Sequence, residues 1–163
     1  MRIRLNNKWH GERGLTFIEL LIVVAILMLI ATVVIPMAQV AVKRQKEIDL
    51  KRALKQVRDA IDMYKMYADQ GFIIQEDIEQ EGYPPDLETL VEGVEVGGPE
   101  NPMPKTIKFL RKIPVDPMTG KAEWGLRSYQ DDFDSTSWGG ENVYDVYSLS
   151  YEEALDGTYY KDW

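Results

Sequence analysis

Residues 14–36 read GLTFIELLIVVAILMLIATVVIP, and this stretch decides the fold. From residue 15 to residue 38 the chain is apolar apart from Thr16, Glu19, Thr32 and Pro36. That run exceeds the ~20 residues a helix needs to cross a bilayer, and the Leu, Ile and Val at its centre favour insertion. Residues 1–14 hold Arg2, Arg4, Lys8 and Arg13 against Glu12, a net charge of +3 that predicts a cytoplasmic N-terminus. A conventional secretory signal would have a shorter apolar region closed by an A-x-A-like cleavage site. No such site precedes Pro36.

Glu19 is the difficulty in this stretch. An unpaired carboxylate is costly in hydrocarbon, yet this one stands near the start of the apolar run. The step from Arg13-Gly14 to apolar sequence suits proteolysis on the cytoplasmic side. Cleavage after Gly14 creates a free amine at Leu15, one helical turn before Glu19. A neighbouring chain shifted along the helix axis then brings its amine to this carboxylate. The pair removes a charge that lipid penalises and sets the register between chains.

The rest of the composition narrows the chemistry. The chain has 163 residues, 45% hydrophobic and 28% charged, enough for one ordinary domain plus an extension. Its net charge is −8, so residues 15–163 carry −11. An acidic body of this kind repels nucleic acid, and no basic patch with interleaved aromatics appears. Cysteine is absent, so no disulfide staples the fold. The single histidine, His10, lies in the basic leader, which removes Ser-His-Asp catalysis and His-rich zinc sites from the body.

Gly14-Leu15-Thr16-Phe17-Ile18-Glu19 and the apolar run behind it resemble the class III leader and first helix of type IV pilins and type II secretion pseudopilins. The resemblance implies that a prepilin peptidase cuts between Gly14 and Leu15 and methylates the new amine, although Leu15 stands where the family usually carries Phe. It implies a role for Glu19 in subunit docking, and it matches Pro36 to the family's helix-breaking proline, where the helix kinks or loosens in the filament.

Past Pro36 the pattern becomes amphipathic. Leu50, Leu54, Val57, Ile61, Tyr64 and Ala68 recur at steps of three and four, which predicts a helical face packed on a core. Gly71 is its expected stop. Within GYPPDLETLVEG, residues 82–93, Asp86 is the expected cap of a short helix that Gly93 ends. A Gly/Pro-rich loop is expected over residues 97–104. KIPVDPMTG reads as an extended piece with turns at Asp116-Pro117 and Gly120. AEWGLRSYQ and NVYDVYSLS read as strands.

This gives an α+β fold: a long N-terminal helix, transmembrane and then amphipathic, packed on a small C-terminal antiparallel sheet. Three segments are expected: a leader at residues 1–14, a transmembrane and polymerisation helix at 15–42, and a periplasmic globular domain at 43–163.

GYPPDLETLV, IPVDPMTG, WGLRSY, SWGG and VYDVYSLS extend the resemblance to the C-terminal domain of the major pseudopilins of type II secretion. The resemblance implies a filament subunit in the bacterial inner membrane. Its partners would be copies of itself, minor pseudopilins, prepilin peptidase, an assembly platform with its ATPase, and membrane lipid before assembly. It also implies calcium after the last strand, where Ser150, Glu152, Glu153, Asp156 and Asp162 offer oxygens.

Two rival readings accompany it. One is a surface type IV pilin for adhesion or motility. The other is a membrane-anchored carbohydrate-active domain, in which Asp131, Asp132, Asp134 and Glu141 act beside Trp124 and Trp138. No phosphate-cradling loop or nucleophile elbow accompanies either, and the expectation is a non-enzymatic chain.

Overall fold

The computed structural model describes residues 14–74, 80–97 and 105–163. The leader up to Arg13, His10 included, and most of the loop expected over residues 97–104 lie outside the described residues. Helix α1 spans Phe17–Asp69, α2 Leu87–Glu92, and four three-residue strands follow: β1 Val94–Val96, β2 Lys105–Ile107, β3 Gly125–Arg127 and β4 Asp145–Tyr147. A 3-10 turn at Tyr160–Asp162 comes last. The chain divides into two compact units, Met1–Ala41 and Val42–Trp163.

In the first unit, α1 begins on Thr16. Its hydroxyl accepts the Glu19 amide at 3.3 Å, and its carbonyl accepts the Leu20 amide at 3.1 Å. Thr16-x-x-Glu19 is thus the start of a capping box, with Glu19 in the first turn, where the helix dipole favours an acid. The helix is long and apolar enough to cross a membrane, and none of its most apolar segment is buried. It runs through Pro36 without a break.

In the second unit, α1 is amphipathic. Leu50, Ala53, Leu54, Val57, Ala60, Ile61 and Tyr64 are buried, the face that three-four spacing marks out. Helix α1 ends at Asp69, and Gly71, at φ 74°, turns the chain by donating to the Ala68 carbonyl. Asp86 caps α2 by accepting from the amide and hydroxyl of Thr89, both at 2.7 Å. Gly93, at φ 88°, closes that helix. Leu87 and Leu90 join the core with Val96, Leu110, Trp124, Val143, Val146 and Tyr160.

The strands form two antiparallel pairs, β1 with β2 and β3 with β4. The expected strands are β3 and β4, paired Gly125 to Tyr147 and Arg127 to Asp145. A side chain at Gly125 would meet the Tyr147 ring at 2.2 Å, so only glycine fits under that ring. The β1–β2 pair flanks the expected loop in stretches that the sequence pattern leaves unassigned, because three-residue strands such as VEV and KTI carry no readable alternation. It is joined to α2 by the Leu90 carbonyl, which accepts from the amides of both Phe109 and Leu110.

Asp116 is fully buried. Its carboxylate accepts from the Met118 amide and from the Ser148 hydroxyl, both at 2.7 Å, and so ties the expected turn to the end of β4.

Candidate functional site

Gly14 and Leu15 precede α1 in exposed, non-helical backbone. Nothing lies within 4 Å of the position a Gly14 side chain would take. A peptide bond so presented is open to an enzyme. Glu19 is exposed and forms no ion pair among the described residues. Around it, Phe17 is 77% exposed and Leu29 72% exposed, and the apolar side chains between them are likewise uncovered. A helix apolar on every side needs lipid or other helices around it. The residue that sequence reasoning passed over here is Thr16. Its signal was present in the Thr-x-x-Glu spacing.

Of the carboxylates of the polar loop, Asp131 holds the backbone of the loop together. Asp131 accepts from the Ser128 amide at 2.7 Å and from the Gly139 amide at 3.1 Å. Trp124 is buried and donates to the Pro114 carbonyl, and Trp138 donates to the Asn142 carbonyl. Trp124 therefore offers no face on which a sugar could stack. Oε2 of Glu141 is buried without a hydrogen-bond partner and lies against Gly139, where a Cβ would approach it to 2.2 Å.

The C-terminal segment is fastened by side chains of α1. Lys43 donates to the Glu153 carbonyl. Glu47 accepts from the Leu155 amide at 2.7 Å and from the Tyr160 hydroxyl at 3.0 Å. Arg58 donates to Asp145 at 2.7 Å and to the carbonyls of Val146 and Trp163. Lys51 lies 4.2 Å from the centre of the Trp163 ring, a cation–π contact. Burial and the bond to Glu47 push the Tyr160 hydroxyl well above the usual tyrosine range.

Among the described residues no three acidic or histidine side chains converge. Asp156 instead accepts from the amide and hydroxyl of Thr158, bonds that hold its carboxyl below the usual range. Ser150 accepts from the Glu152 amide. Calcium needs six to eight oxygens around one point, and of the expected donors Ser150 and Asp156 accept bonds within their own turns.

Comparison with known proteins bears on both units. Residues 9–35 match the prokaryotic N-terminal methylation motif. Over 141 residues the chain is 28% identical to the type II secretion system core protein G of Pseudomonas aeruginosa, an alignment that covers 85% of this chain and 82% of that protein. The chain thus carries a prepilin-type N-terminal motif, and its long apolar helix followed by small antiparallel strand pairs is consistent with a type IV pilin-like fold. No solved structure matches it. The apolar helix and the motif fit a single-pass protein of the inner membrane. The likeness to a secretion core protein extends well past the motif, through the core of the second unit.

Proposed function

We propose that this chain is a structural subunit of a type II secretion pseudopilus. The observation that carries the reading is the extent of the likeness to core protein G, which takes in the globular unit as well as the shared N-terminal motif. In this reading the chain inserts with residues 1–14 in the cytoplasm and residues 43–163 in the periplasm. Prepilin peptidase removes the leader between Gly14 and Leu15 and methylates the Leu15 amine.

Assembly then draws the apolar helix out of lipid and into a bundle of its copies. Neighbouring helices replace the acyl chains, so the transfer costs little hydrophobic burial. The Glu19 carboxylate of one copy meets the Leu15 amine of the next, and Pro36 gives the helix a point of adjustment during packing. Minor pseudopilins begin the filament, and an inner-membrane platform with its ATPase supplies the energy. Growth helps move folded cargo outward.

Expression with and without prepilin peptidase, followed by mass spectrometry of the membrane fraction, tests the reading. Loss of residues 1–14 and one methyl group on Leu15 are expected. A chain recovered with Met1 attached when the peptidase is present would falsify it.

A further inference from the structure

Two features of the second unit are unsatisfied within one chain and complement each other. The first is a knob. Phe133 is 90% exposed, the most exposed large apolar side chain among the described residues. It sits in a turn closed by the Ser135 amide donating to the Asp132 carbonyl at 2.9 Å. Arg127 braces this turn by donating to the Ser135 carbonyl, and Asp131 holds the loop behind it. Asp132 and Asp134 flank the ring, both exposed and without side-chain partners among the described residues. A large aromatic in a hydrogen-bonded turn is a preorganised anchor.

The second feature is a groove of about 580 Å³, floored by Leu54 and Trp163 and edged by Lys51, Lys55, Arg58 and Thr158. Arg58 is committed to Asp145 and to two carbonyls, which makes it part of the wall. Lys55 leans on Asp59 in an exposed pair of the kind that contributes little. Asp156, on the far edge, is spent on Thr158. Lys51, held over the Trp163 ring by its cation–π contact, and Lys55, in its exposed pair, are the charges that an incoming acid would draw away, set beside an apolar floor.

The wider charge pattern has the same sense. Residues 42–58 hold seven Lys or Arg against two acids, a net of +5. Residues 59–163 hold eight against twenty-three, a net of −15. Such a chain attracts its own copies when the basic stretch of one faces the acidic body of another.

We propose that Phe133 of one copy docks in the Leu54–Trp163 groove of a second copy, with Asp132 and Asp134 against Lys51 and Lys55. The contact joins two different patches, so it is heterologous, and heterologous contacts that do not close into rings build open helical polymers. The inference rests on the filament reading above and names one lateral contact for it.

Because the chain has no cysteine, introduced thiols report this contact without background. The full-length chain carrying both Thr136→Cys, at an exposed position of the loop that leaves Phe133 in place, and Lys55→Cys is expressed with its assembly machinery, oxidised and run without reductant. A ladder of linked dimers, trimers and longer species is expected, while either single variant stays monomeric. Adding Lys51→Glu is expected to lower ladder yield about fivefold, and further adding Asp132→Lys and Asp134→Lys to restore most of it. Filaments seen by electron microscopy without a ladder overturn the docking and leave the filament reading standing. A ladder indifferent to Lys51→Glu, or not restored by the exchange, also overturns the docking. Absence of filaments from the unsubstituted chain overturns both.

Discussion

The two halves of α1 share one backbone geometry and answer to different surroundings. From Phe17 to Val42 large apolar groups stand exposed on every side of the helix. From Leu50 to Tyr64 one face is sealed into a core and the other carries charge. The first half is written for contacts outside the polypeptide, the second for contacts within it. Apolar content alone therefore does not mark a core. The periodicity does, because a uniformly apolar helix has no inside.

Substitutions can break this comparison. The largest effect is expected at Glu19. Glu19→Ala leaves the globular unit folded and lowers filament growth by at least about tenfold, since the register pair is lost. Normal growth, measured by electron microscopy of sheared filaments, would show that the first half does not use its acid. Next comes Ile61→Ala, at a position 1% exposed, expected to cost about 2–5 kcal/mol in denaturant unfolding of the detergent-solubilised chain. Ile22→Ala in the same assay is expected to change nothing measurable, and equal costs would erase the distinction between the halves.

Glu47→Ala removes the acceptor for both the Leu155 amide and the Tyr160 hydroxyl. It is expected to cost about 1–3 kcal/mol and to open residues 150–163 to protease before the rest unfolds. A smaller effect comes from pH. Tyr160 is raised in the folded chain, so the unfolded chain gives up its proton first as pH climbs past the ordinary 10.0. Its contribution is complete below that value and fades above it. Stability followed by circular dichroism should decline there, and Tyr160→Phe should flatten the decline. The smallest expected effect belongs to calcium: no acidic cluster forms among the described residues, so millimolar calcium should move the melting temperature by less than about 1 °C, and a larger rise would reveal a site at residues 150–162.

What was legible in the sequence was local or periodic. The apolar run, the stripe from Leu50 to Ala68, the Asp86 cap and the stops at Gly71 and Gly93 all follow from spacings within a few residues. Strands β3 and β4 were legible through their aromatic and branched residues. The fastening of the C-terminal segment was not. Arg58 and Asp145 are 87 residues apart, Glu47 and Tyr160 are 113 apart, and nothing in either neighbourhood points to the other. Asp116 was readable as a turn residue but not as the buried partner of Ser148, for the same reason. The expectation of calcium came from resemblance. The oxygens of residues 150–162 are present in the sequence, while their direction is fixed only by the fold.

The reach of the Glu47–Tyr160 bond bears on how the protein is made. Contacts between residues this distant are among the slowest to form. Tyr160, fully enclosed in the finished core, has to arrive before that core is complete. A nascent chain emerging N-terminus first thus places its greasy helix long before its body can lock, and that body cannot close until Tyr160 has arrived.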